Sequence, residues 1–173
     1  SNAESADNLE LDLNNDGTAE ATDDKTIEIF DPTTIASAAN PTFDMGQSAT
    51  AISAITLTYN GSSPAITTTD DIRIAIPSSF DMTWESGDTT ATITGNASSK
   101  VNTTVSYEGS NKILVITVVN DFASGDTITI SDLSFDNFNS QESVDNLELD
   151  LDNDSTADEV DSKTIKINID PTT

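Results

Sequence analysis

The chain has 173 residues, of which 31 are acidic and 6 basic, with no histidine, no cysteine and a formal net charge of −25. That charge repels nucleic acid and anionic membrane surfaces throughout the approach, and makes cations the natural counterpart. The missing residue types remove the commonest general base near neutral pH, all thiol chemistry, disulfides and the usual transition-metal ligands, so an enzyme is not expected.

In chain order, Ser1-Asn2-Ala3 reads as the remnant of a cleaved purification tag. Residues 4–29 then run ESADNLELDLNNDGTAEATDDKTIEI, and residues 142–167 return as ESVDNLELDLDNDSTADEVDSKTIKI; both copies lead into DPTT. A match this long is a duplication. Its spacing of about 138 residues exceeds a solenoid repeat and suits a whole β-domain used many times along one chain. The expected organisation is therefore an acidic hairpin at 4–34, the tail of an upstream repeat or the head of this one, a β-sandwich body at 35–141, and a second acidic hairpin at 142–173. Strands are expected on either side of each acidic loop, at 8–13 and 25–30 in the first copy.

Between the copies the apolar residues recur every second position. Ile55, Leu57 and Tyr59 alternate with threonine, Ile72, Ile74 and Ile76 with polar or small residues, and Phe80, Met82 and Trp84 keep the same period. Each run can put one face into a core. Further strands are predicted at 90–94, 101–107, 112–119 and 127–135. The unbroken apolar run of residues 113–119 marks a central strand covered on both faces. Asn60-Gly61, Glu108-Gly109-Ser110-Asn111 and Ser124-Gly125-Asp126 supply turns. No segment has a helical period or the length of a membrane-spanning helix, so membrane insertion is not expected. The pattern predicts an all-β fold, an antiparallel β-sandwich of immunoglobulin-like or jelly-roll type with two homologous acidic β-hairpins. Trp84, the only tryptophan, is expected in its core.

The acidic loops carry the candidate chemistry. In the first copy Asp12, Asn14, Asp16, Glu20 and Asp23 place side-chain oxygens at the first, third, fifth, ninth and twelfth positions of a twelve-residue loop. Gly17 is sixth, where the backbone turns sharply, and Thr18 at the seventh would offer its carbonyl. Asp150, Asp152, Asp154, Thr156, Asp158 and Asp161 repeat the register, with Ser155 in the place of the glycine. A hard cation takes six to eight oxygens, and alternate residues of a curling chain can point inward together to provide them. This loop resembles the calcium loop of dockerins and EF-hands, which implies calcium bound by these residues. The likeness covers loop chemistry alone, because the flanks here are strands where those families have helices. The competing reading is a solvated acidic turn. The register repeated in both copies favours calcium over that turn. General salt adaptation is a third reading, and charge placement speaks against it: of the 31 acidic residues, ten lie in 4–31 and ten in 142–170, leaving 11 for the longer middle.

The repetition and composition resemble bacterial or archaeal cell-surface proteins built from tandem β-sandwich repeats, such as adhesins and surface-layer-like proteins. That resemblance implies an extracellular location, neighbouring repeats of the same chain as partners, and a spacer role stiffened by calcium. The alternative is a carbohydrate- or protein-binding module, akin to carbohydrate-binding modules or cohesins, which would show exposed aromatics.

Overall fold

The structure is a computed structural model and describes residues 4–29 and 32–169. Residues 1–3, expected to be a tag remnant, the Phe30 end of the expected hairpin strand and residues 31 and 170–173 of the two DPTT segments lie outside the described residues. Strands follow one another as β1 Glu4–Leu11, β2 Ala21–Ile29, β3 Thr34–Ser37, β4 Thr42–Asp44, β5 Thr50–Ala51, β6 Ile55–Tyr59, β7 Ile72–Ala75 and β8 Thr83–Trp84. They continue as β9 Thr92–Thr94, β10 Val101–Glu108, β11 Ile113–Val118, β12 Asp126–Ser131, β13 Ser134–Asp136, β14 Glu142–Asp150 and β15 Glu159–Asn168. The only helical element among the described residues is a 3-10 turn at Ser98–Lys100.

The body is an all-β sandwich. One sheet has the order β10-β11-β7-β14-β15-β4 and the facing one β3-β6-β12-β9, and a small third sheet, β5-β13-β8, adds Trp84 and Phe135 to their shared core. The period of two explains the packing between them. Ile72 and Ile74 of β7, Leu114 and Ile116 of β11 and Leu147 and Leu149 of β14 meet Ile35, Ile55, Leu57, Ile128 and Ile130 of the other sheet in one continuous core. The alternate positions of β6 and β12 turn outward, where the hydroxyls of Thr56 and Thr129 bond across the strands at 3.0 Å. Trp84 is buried as expected, its ring 4.6 Å from that of Phe135; Phe43 meets Phe135 edge-on and stacks on Phe138.

Several elements differ from the sequence expectation. Phe80, Met82 and Trp84 are all buried, yet only Thr83–Trp84 is strand. The expected run at 127–135 breaks into β12 and β13 at Asp132, whose φ of 62° turns the chain before buried Leu133. In β11 Leu114, Val115 and Ile116 are buried in succession, as a doubly covered strand requires, but Thr117 is exposed and so is Val119 just beyond. Periodicity does not mark strands β3, β4 and β5, because each carries at most one large apolar residue.

Those early segments matter, because residues 37–44 run alongside β15. Asp161 accepts from the Ser37 backbone at 2.9 Å, the Thr164 N–H donates to Asn40 at 3.0 Å, the Lys166 N–H donates to the Pro41 carbonyl at 3.2 Å, and Lys166, Ile167 and Asn168 pair in parallel with Thr42, Phe43 and Asp44. The sheet is therefore antiparallel except at this edge. Thr33 lies with Leu151, Asp158 and Glu159 at the opposite end of β15. The chain thus enters the body at one pole and β15 leaves it at the other, about 30 Å away for ten strand residues.

The second hairpin is part of the sandwich: Glu148, Leu149 and Asp150 of β14 pair with Ala75, Ile74 and Arg73 of β7. Among the described residues β1 and β2 pair only with each other.

Candidate cation site

Each acidic loop joins two antiparallel strands, and its shape follows from short carboxylates and amides capturing nearby N–H groups. In the first copy Asp12 accepts from Asn14, Asn15 and Gly17 at 3.2, 2.6 and 2.9 Å. Asn14 accepts from Asp16, Asp16 from Thr18, and Glu20 reaches back to the Leu13 N–H at 2.7 Å. The second copy repeats the scheme: Asp150 accepts from Asn153 and Ser155 at 2.7 and 3.2 Å, Asp152 from Asp154, Asp154 from Thr156, and Asp158 from Leu151 at 2.7 Å. In both loops the fourth and sixth positions are left-handed, Asn15 at φ 60° with Gly17 at 84°, and Asn153 at 59° with Ser155 at 69°. The serine adopts the conformation that glycine holds in the first copy, at a steric cost glycine does not carry.

This winding brings carboxylates together. Oxygens of Asp12, Asp16 and Glu20 lie within 4.8 Å of one another, and so do those of Asp150, Asp152 and Asp158. The side chain of Asn14 holds its own turn beside the first group. Asp154 is turned toward Thr156, whose hydroxyl and N–H both donate to it and hold its carboxyl below the usual range. Thr18 and Thr156 contribute N–H groups to the same turns.

The twelfth position is not brought into either cluster. Asp161 is buried in β15, where its two oxygens take the N–H and the hydroxyl of Ser37 and one also takes the Lys163 N–H at 2.9 Å. Asp23 bonds the Lys25 N–H at 3.0 Å. The physical reason is that the exit from the loop is a strand. Glu159 already begins β15, and strand alternation turns Asp161 into the space between the sheets, where a helix would have curled it back over the loop. The clasp between Ser37 and Asp161 has no sequence signal beyond a lone aspartate among strand residues, since its partner is 124 residues away.

The electrostatics of the two loops follow their surroundings. The N–H of Gly17, followed by those of its neighbours, holds Asp12 below the ordinary carboxylate range. Asp158 is pushed upward, first by partial burial and then by Asp152, Asp150 and Asp154. Three convergent carboxylates without histidine or thiol are a donor set for a hard, oxygen-seeking cation. Arg73, the register partner of Asp150, is turned toward Glu108 at 3.5 Å and lines a shallow groove with Glu148 and Asp150.

No protein-family model, curated protein or solved structure matches this chain. Among the described residues no helix is long and apolar enough to cross a membrane.

Proposed function

We propose that the chain is a non-catalytic spacer repeat of a large extracellular surface protein, with neighbouring repeats of the same chain as its partners and calcium as the ion of its acidic loops. The observation that carries this reading is the position of the second loop. It lies beside Thr33, at the pole where the chain enters the body, while β15 leaves at the far pole. Units joined in this way follow one another lengthwise, and the loop of each stands at the junction with the unit before it. A cation held by Asp150, Asp152 and Asp158 relieves their mutual repulsion and ties the start of β15 to the end of β14.

The alternative, a glycan- or protein-binding module, would draw on exposed aromatics. Trp84 and Tyr59 are buried, and Tyr107 is partly buried with its hydroxyl donated to the Asp88 carbonyl at 2.6 Å. These side chains do not form a platform, so the spacer is the reading we retain.

Thermal unfolding in EDTA and in calcium tests the ion. At calcium about 100-fold above its dissociation constant the folded state gains about 2.7 kcal/mol, which for a chain of this size raises Tm by roughly 5–10 °C. An unchanged Tm at millimolar calcium removes the cation from the account.

A further inference from the structure

Leu9, Leu11 and Leu13 are 60, 51 and 75% exposed, whereas their counterparts Leu147, Leu149 and Leu151 are 1, 0 and 2% exposed. The same three leucines are thus a core stripe in one hairpin and an uncovered apolar face in the other. We infer that the β1–β2 hairpin is the closing strand pair of another copy of the body, and that its leucine face is covered by a second copy of residues 32–141 lying before it in the chain.

The second hairpin supplies the mode of docking. Glu148, Leu149 and Asp150 pair with Ala75, Ile74 and Arg73, and Ile167 with Phe43. Glu10, Leu11, Asp12 and Ile29 hold the matching places in the first hairpin. The body in this chain is not available to it, because β14 and β15 already fill the gap between β7 and β4. Chain length excludes the exchange as well. A hairpin docked in that gap would put Ile29 at the place of Ile167, eight strand residues or about 26 Å from the pole where Thr33 enters. The four steps from Ile29 to Thr33 reach at most about 14 Å. A preceding body has no such conflict, since the hairpin would continue directly from its last strand, as β14 follows β13 here. The repeating unit is then a body followed by its hairpin. This inference rests on the repeat part of the proposed function and not on the cation.

The chain has no cysteine, so one introduced thiol reports one site. Leu11→Cys in the present chain is expected to react with a thiol reagent at the rate of a free thiol. The same substitution in a chain extended by a copy of residues 32–141 fused ahead of Glu4 is expected to react at least about 100-fold more slowly, in EDTA as in calcium. Leu147→Cys and Leu151→Cys in the second hairpin give the benchmark for a covered position. Fast labelling at position 11 in the extended chain, with an unfolding amplitude showing that both bodies have folded, overturns the inference and leaves the repeat reading in place. Fast labelling with only one body folded overturns both.

Discussion

The two acidic hairpins set nearly the same sequence in two environments, and the contrast separates what the segment specifies from what its surroundings add. Both copies form two antiparallel strands with the same register shifts, the same left-handed positions and matching captured N–H groups at the second, fourth, fifth, sixth and seventh loop positions. These are local properties of the segment. Burial is not: one leucine face closes a core and the other meets water. The buried aspartate at the end of the second loop is likewise a product of context, since its partner Ser37 belongs to a different sheet.

The largest expected difference is at the leucines. Leu149→Ala removes a fully buried side chain between the sheets and is expected to cost about 3 kcal/mol in urea unfolding. Leu11→Ala, the same change at the matching place, is expected to stay within about 0.5 kcal/mol. Equal costs would mean that the first hairpin is packed as well as the second.

How far the architecture is legible in the sequence depends on where the information lies. Ile55, Leu57 and Tyr59, or Ile72 and Ile74, announce their strands because alternation is local and one face is buried. The acidic loops are legible for the same reason, as each side chain bonds a backbone group two to seven residues away. Strands β3 and β4 are not, because they are made by their neighbours: Ile35 and Phe43 are lone apolar residues, and the parallel pairing of Thr42–Asp44 with β15 joins segments more than 120 residues apart. The first, fifth and ninth positions of the first loop converge, and so do the first, third and ninth of the second. Asp23 and Asp161 do not, because a strand and not a helix follows them. A twelve-residue template carries the geometry of its flanks, and the strand flanks here leave the twelfth position outside both clusters.

A second contrast is expected at that twelfth position. Asp161→Ala leaves the Ser37 and Lys163 N–H groups without their acceptor in a buried place, which is expected to cost about 2 kcal/mol. Asp23→Ala, on an exposed hairpin, is expected to change stability by less than about 0.5 kcal/mol. Comparable losses would place Asp23 in a clasp like that of Asp161.

The smallest effect concerns the carboxylate cluster itself. Burial and the neighbouring aspartates raise the Asp158 pKa in the folded chain, so the folded state prefers the protonated form more than the unfolded chain does. The sign follows: without a cation this carboxylate weakens the fold at pH above its folded pKa, and the penalty fades as pH falls through that value toward 3.8. Asp158→Asn keeps an acceptor for the Leu151 N–H while removing the charge. At neutral pH in EDTA it is expected to raise Tm by about 1–2 °C, the scale of one relieved exposed repulsion, and to reduce the gain from calcium. Glu20→Gln, the matching change in the first loop, is expected to leave the unfolding of the body unmoved.

Hydrogen exchange of the intact chain tests the contrast between the hairpins most directly. Amides of β14 and β15 are expected to exchange only when the sandwich unfolds, and those of β1 and β2 at least about 1,000-fold faster, through opening of the hairpin alone. Protection of the two hairpins agreeing within about tenfold would contradict the account, because the first would then be held by a surface as extensive as the one that holds the second.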